Sequence, residues 1–161
     1  MAGHRGVTGA TVLLAAIVIV AAFVWLFRVR SSDQSLALTP AAFAKLDRLR
    51  SEPKYVEVLA VGYSGLRPEP ERRMAEAQLN DLIDQVRHGL AATPTKAFVL
   101  REFAMTLARF EPTDSEDRDR LCRYLEQIMD IVGIQSSDGM LGRWRYGLIL
   151  GTILEFSPRP R

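Results

Sequence analysis

The chain opens with one long stretch that has no charged position. It continues through shorter stretches in which apolar residues recur at helical spacing. Val7 to Phe27, VTGATVLLAAIVIVAAFVWLF, carries no charge. As a helix it spans roughly 31 Å, about the hydrocarbon thickness of a bilayer, and Arg28 and Arg30 close it. The pattern predicts a transmembrane anchor over 7–27 behind a short tail at 1–6. A cleaved secretory signal is the first alternative. Its apolar core usually runs about 7–15 residues and ends at a small-residue site, whereas Trp25-Leu26-Phe27-Arg28 is bulky and basic. Ser35-Leu36-Ala37 mimics such a site but lies beyond both arginines. A buried core helix is the second alternative, and it would need a polar face that this stretch lacks.

Residues 28–38 read as a polar linker built on Ser31-Ser32-Asp33-Gln34-Ser35, 39–156 as a helical domain, and 157–161 as a C-terminal tail. Thr39-Pro40 has the form of an N-cap followed by proline in the first turn. Phe43, Leu46 and Leu49 then share one side of a helix from Ala41 to Arg50, which Pro53 ends. Over Lys54–Val61 the apolar spacing falls between strand and helix, and a short helix is the expectation. Gly62 to Pro70 reads as a loop by its glycines and prolines.

Leu79, Leu82, Ile83, Val86 and Leu90 form one continuous helical stripe, with Glu69 and Glu71 ahead of it and Gly89 and Pro94 marking its end. Thr93-Pro94 opens the next helix, which runs to about Phe110 with Val99, Phe103, Leu107 and Phe110 inward and Phe98 beside them. Thr113 or Asp114 caps a further helix to about Ile131, striped by Leu121, Leu125, Ile128, Met129 and Val132 and stopped by Gly133. Ser136-Ser137-Asp138-Gly139 is a turn, Met140–Tyr146 one or two helical turns, and Leu148–Phe156 either a closing helix or an extended strand. The predicted fold class is all-α: a small helical bundle preceded by one N-terminal transmembrane helix.

Charge narrows the function classes. Removing Arg5, Arg28, Arg30 and Asp33 from 21 basic and 19 acidic residues leaves 18 of each. The sequence pI near 8.9 therefore comes from the flanks of the apolar stretch, and a neutral domain is not expected to bind nucleic acid. Counting Arg5 against Arg28 and Arg30, with Lys45 and Arg48 farther off, favours a cytoplasmic domain over a periplasmic one. The expected location is a bacterial inner membrane, with the lipid bilayer as partner of 7–27. The single cysteine, Cys122, forms no internal disulfide and fits a reducing compartment.

Few residues point to chemistry. Asp114, Glu116, Asp117 and Asp119 are the densest acidic group, and such a group can hold Mg²⁺ or Ca²⁺. Acids also collect at helix starts, where free N–H groups and the dipole favour them, and that is the simpler expectation. Glu126 and Asp130 face Arg123 or Arg145 as structural ion pairs. His88 has too few companions for a metal site and is expected at the surface. Cys122 borders the apolar stripe and is expected as a buried, inert thiol. Gly62-Tyr63-Ser64-Gly65 lacks the Lys-Ser/Thr of a phosphate loop. No catalytic, cofactor-binding or metal residue is assigned. Arg143, Trp144, Arg145 and Tyr146 form the candidate interface, because large aromatics among arginines are favoured where proteins meet.

The same region carries a family likeness. Asp114, Glu116, Asp117 and Arg118 form an acid-rich helix start. Cys122, Tyr124, Glu126, Ile128, Met129, Asp130 and Ile131 continue it, followed by Ser136, Ser137, Gly139 and Leu141, then Trp144, Tyr146 and Gly147. This run resembles a small bacterial family known only as domain of unknown function number four-eight-four-four. The likeness covers 114–147 closely and 40–147 loosely. It implies a compact helical domain and no assigned activity. Three functions follow as expectations. One is a membrane-tethered protein-interaction module, immunity-type or regulatory, with an unknown protein partner. Another is a self-associating structural protein, a homo-oligomer beside the membrane. The third is a metal-dependent hydrolase using Asp114, Glu116 and Asp117.

Overall fold

Leu79, Leu82, Ile83, Val86 and Leu90 form the spine of the domain, each at most 1% exposed. They lie on one side of α2 (Glu69–Ala92), where the predicted stripe places them. The structure, a computed structural model, describes residues 34–111 and 114–154. The predicted anchor over 7–27 and the tail at 157–161 lie outside the described residues. The chain divides into two units, Met1–Gln34 and Ser35–Arg161, and the described helices belong to the second. These are α1 (Pro40–Ser51), α2, α3 (Lys96–Arg109), α4 (Ser115–Val132) and α5 (Met140–Leu154). A three-residue 3-10 turn, Leu59–Val61, precedes α2. Among the described residues there is no strand, only isolated bridges from Ser35 to Thr95 and from Val58 to Tyr63. The bundle is all-α. No described helix is long and apolar enough to cross a membrane.

Local chemistry sets the helix ends. Thr39 caps α1, its hydroxyl accepting from the Ala42 N–H at 3.2 Å, with Pro40 in the first turn. Asp114 caps α4 by accepting from the Asp117 N–H at 2.9 Å. Gly133 ends α4 with φ +80°, the left-handed conformation that glycine adopts without strain. The cap of α3 is Thr95, two residues after the Thr93 that the sequence suggests. Its hydroxyl accepts from the Phe98 N–H at 3.2 Å. Leu36, within the predicted 28–38 linker, is buried and donates its N–H to the Pro94 carbonyl at 2.8 Å. The predicted short helix over 54–61 is absent apart from the 3-10 turn. The chain there is anchored by the Tyr55 side chain, whose demands override local spacing. Leu148–Leu154 continues α5 as helix, beyond a break at Gly147 (φ 79°, ψ 175°).

Helices α2 and α3 pack side by side across the tight Thr93–Thr95 turn, with Val99, Phe103 and Leu107 against the α2 spine. Each such side chain contributes about 1.5–3 kcal/mol relative to exposure. Gly89 does not stop α2. The helix runs on to Ala92, and Gly89 is a notch for the Phe98 ring, since a Cβ there would stand 2.0 Å from Phe98 Cζ. Helix α1 lies against α2 and α4, tied by Arg50 to Asp84 at 2.7 Å and by Arg87 to Asp47. Lys96, itself buried, reaches Asp138 at 2.6 Å and pins the 136–139 turn to the start of α3.

If the notch is required, Gly89→Ala lowers stability by about 1–3 kcal/mol in urea unfolding, the cost of overpacking. This outweighs alanine's helical preference of about 1 kcal/mol. Adding Phe98→Leu restores most of the loss. A Gly89→Ala protein more stable than wild type would contradict the packing.

Candidate functional site

The site is built where the 54–66 segment crosses the starts of α2 and α4. Tyr55 has φ +54°, a left-handed conformation uncommon outside glycine, and its side chain is completely buried. Its ring stacks on Phe110 (centroids 5.9 Å apart) and meets Tyr124 edge-on at 5.3 Å. Its N–H donates to the Tyr124 hydroxyl at 3.1 Å. Its carbonyl accepts from the Leu66 N–H at 3.0 Å, and Val58 and Tyr63 exchange both backbone hydrogen bonds. The result is a short hairpin pinned at both legs.

Tyr63 supplies the second pin. Its hydroxyl donates to Asp117 Oδ1 at 2.8 Å, and both residues are buried. The Arg120 guanidinium stands 5.3 Å from the Tyr63 and Tyr124 ring centroids alike, a cation between two π faces. Burial raises the Asp117 pKa. The Tyr63 hydrogen bond opposes this, and the charges of Asp114, Glu116 and Glu71 add to the rise. Burial, then the hydrogen bond to Asp117, also raises Tyr63. The acidic cluster thus has a structural use. Asp114 caps the helix, Asp117 receives the hairpin, and Glu116 is exposed.

The tip of the hairpin is apolar and open. Leu59 is 83% exposed and Val61 57%. Two recesses flank its base and share Leu66: one of about 710 Å³ beside Tyr55, Val56 and Pro68, the other of about 520 Å³ beside Met74, Ala75 and Phe110.

The four candidate interface residues are split by the fold. Trp144 is partly buried, 6.3 Å from the Phe110 ring and under Arg118 at 5.7 Å. Arg145 lies 2.9 Å from Asp119 and donates to the Asp119 carbonyl at 3.0 Å. Arg143 is half-buried, and Tyr146 is the exposed member. His88 is exposed, and its Nδ1 stands 2.6 Å from the Asp84 carbonyl. Cys122 is fully buried, and burial pushes its thiol up to about 11. Among the described residues no group of three or more His, Cys, Asp or Glu is arranged to hold a metal ion.

A family model described as a domain of unknown function, DUF4844, matches residues 37–148. The chain belongs to the DUF4844 family. No curated protein matches it. The DUF4844 chain is similar to the crystal structure of a DUF3571 family protein from Acinetobacter baumannii AYE. The TM-score is 0.61 at 25% identity, over 71% of this chain and 95% of that one. The DUF4844 match takes in the whole hairpin, α2, α3 and α4, so the pins described above lie within the family domain.

Sequence reasoning missed Tyr55, Tyr63, Lys54 and Arg120. Lys54 is fully buried, and its Nζ donates to the Arg50 and Glu52 carbonyls at 2.9 and 2.6 Å, closing the end of α1. The available signal was two tyrosines bracketing a glycine-punctuated loop. Aromatic rings in a loop are costly unless the fold buries them.

A raised carboxyl pKa means that the folded state holds its proton more tightly than the unfolded chain. Its stabilisation is present below the ordinary value of 3.8 and is lost as pH rises through the raised folded value. The unfolding free energy of wild type, measured against Asp117→Asn, therefore falls as pH climbs from about 4 and levels off above the raised value. A difference independent of pH between about 3.5 and 7 would contradict the buried carboxyl.

Proposed function

We propose that this DUF4844 chain is a non-catalytic docking module, tethered to a membrane through 7–27, that engages a partner protein through the hairpin tip around Leu59 and Val61. The observation that carries this reading is the pairing of an open apolar tip with a fully pinned base. Exposed apolar side chains on a mobile loop would collapse onto the nearest surface. Here Tyr55 and Tyr63 hold the legs, and Leu59 and Val61 stay in water. Ordered loops that carry apolar side chains into solvent are binding devices, because their ordering is complete before the partner arrives.

Position supports it further. Chain entry at Ser35 pairs with Thr95 at the start of α3, while Tyr55 packs on Phe110 at its end. A helix of 14 residues separates the two by roughly 21 Å. Ser35 thus lies at the opposite end of α3 from the residues that hold the hairpin. The earlier candidate face contributes Tyr146, whereas Trp144 and Arg145 are occupied within the fold. Asp114 accepts from a helix N–H and Asp117 from Tyr63, which favours a structural use of these acids over the hydrolase reading.

A photo-crosslinking residue at position 59 of the full-length, membrane-inserted chain gives a discrete heavier adduct, and the same residue at Met105 does not. Leu59→Ser with Val61→Ser lowers adduct or partner recovery by roughly fivefold or more, the loss of a modest interface anchor, with unfolding unchanged. Identical adducts from positions 59 and 105, or none from 59, would contradict docking at the tip. An adduct of twice the chain's mass would identify a second copy as the partner and support the self-associating reading instead.

A further inference from the structure

The hairpin tip presents apolar side chains, and one guanidinium stands at its root. Arg120, in the second turn of α4, lies 5.3 Å from the ring centroids of both Tyr63 and Tyr124. The acids nearest to it in sequence do not answer its charge. Asp117 accepts from Tyr63, and Asp119 pairs with Arg145. Among the described residues the Arg120 guanidinium makes no ion pair and no hydrogen bond. Only Nε of its three nitrogens is buried without an acceptor, which leaves Nη1 and Nη2 to an incoming one.

A guanidinium is a planar fork that takes a carboxylate through two parallel N–H···O bonds. An arginine on a free stem loses side-chain freedom when it does so. Here Tyr63 is fixed by Asp117, and the Tyr124 hydroxyl by the Tyr55 N–H, so two held rings position the cation before anything binds. We propose that the partner's docking segment carries a carboxylate beside its apolar side chains, and that Arg120 receives this carboxylate while Leu59 and Val61 meet the apolar neighbours. The proposal rests on docking at the hairpin tip and names the chemistry of the segment that docks.

Proximity and charge both bear on this segment. Val61 precedes Tyr63 by two residues, at most about 7 Å along the chain, and Leu59 lies two residues before that. A carboxylate at Arg120 and apolar side chains on Leu59 and Val61 can therefore come from one short stretch of partner. The preceding turn of α4 is crowded with Asp114, Glu116 and Asp117. A doubly charged phosphate would meet those acids with one nearby cation to offset them. A single carboxylate suits one held guanidinium better.

The test uses the full-length, membrane-inserted chain with the photo-crosslinking residue at position 59. Arg120→Gln removes the charge and lowers the adduct yield roughly tenfold, the weight of a charge-assisted hydrogen bond. Amide hydrogen exchange at Tyr55 and Tyr63 stays as in the unaltered chain. Separately, Arg120→Lys puts an amine at the same point. A water-soluble carbodiimide couples that amine to an adjacent carboxylate, and tandem mass spectrometry places the new amide at position 120, on the same partner that position 59 captures. Exposed Lys45 forms no such link to that partner. An unchanged position-59 yield in Arg120→Gln would overturn the proposal and leave tip docking intact. A loss accompanied by faster hairpin exchange would overturn it by assigning Arg120 to holding the hairpin. A position-59 adduct with no amide at position 120 in Arg120→Lys would overturn it as well. No position-59 adduct in the otherwise unaltered chain would overturn tip docking itself, and this proposal with it.

Discussion

The whole 54–66 hairpin depends on how one buried tyrosine is held. Tyr55 sits in a backbone conformation that costs a non-glycine residue on the order of 1–3 kcal/mol. It keeps that conformation because its ring is wedged between Phe110 and Tyr124, and its N–H and carbonyl are taken by the Tyr124 hydroxyl and the Leu66 N–H. The returning leg must then pass close beneath. Gly65 makes this possible: a Cβ there would lie 3.0 Å from the Glu57 nitrogen and 3.1 Å from the Tyr55 oxygen, at φ +81°. Phe110 is shared again with Trp144, so the same ring couples the hairpin, the end of α3 and the start of α5.

This arrangement explains which parts of the fold are legible in the sequence. Periodicity reveals α2, α3 and α4 because their inward faces are long, regular and apolar, and the Leu79–Leu90 stripe is buried as it predicts. The caps at Thr39 and Asp114 are local devices and read correctly from local sequence. Gly89 and Thr93 mislead for a physical reason. A glycine inside a helix serves as well for close packing as for termination, and only the position of Phe98 decides between them. The segment 54–66 is opaque because its conformation is set by residues far along the chain. Tyr55 waits on Tyr124 and Phe110, and Tyr63 on Asp117.

The candidate site shows the same division. The acid-rich start of α4 is visible as sequence, and its role as a helix start follows from the dipole. That one of its carboxylates is buried under a tyrosine is a tertiary fact with no local trace. Trp144 and Tyr146 look alike in sequence, as aromatics between arginines, yet one packs against Phe110 and the other faces water. The likeness to the DUF3571 protein bears on the fold, and membership of the DUF4844 family assigns no activity. Function has to be argued from surfaces, and here the surface that stands out is the exposed apolar hairpin tip.

The central claim is that the Tyr124 hydroxyl locks the Tyr55 backbone and thereby makes the hairpin a rigid presenting element. Amide hydrogen exchange at Tyr55 tests it most directly. The account predicts that the Tyr55 N–H exchanges as slowly as the core amides of α4. In Tyr124→Phe it should exchange faster by roughly tenfold or more, in line with about 1–3 kcal/mol for a buried donor left unpaired. A Tyr55 amide in the wild-type protein that exchanges at the rate of an open loop would contradict it.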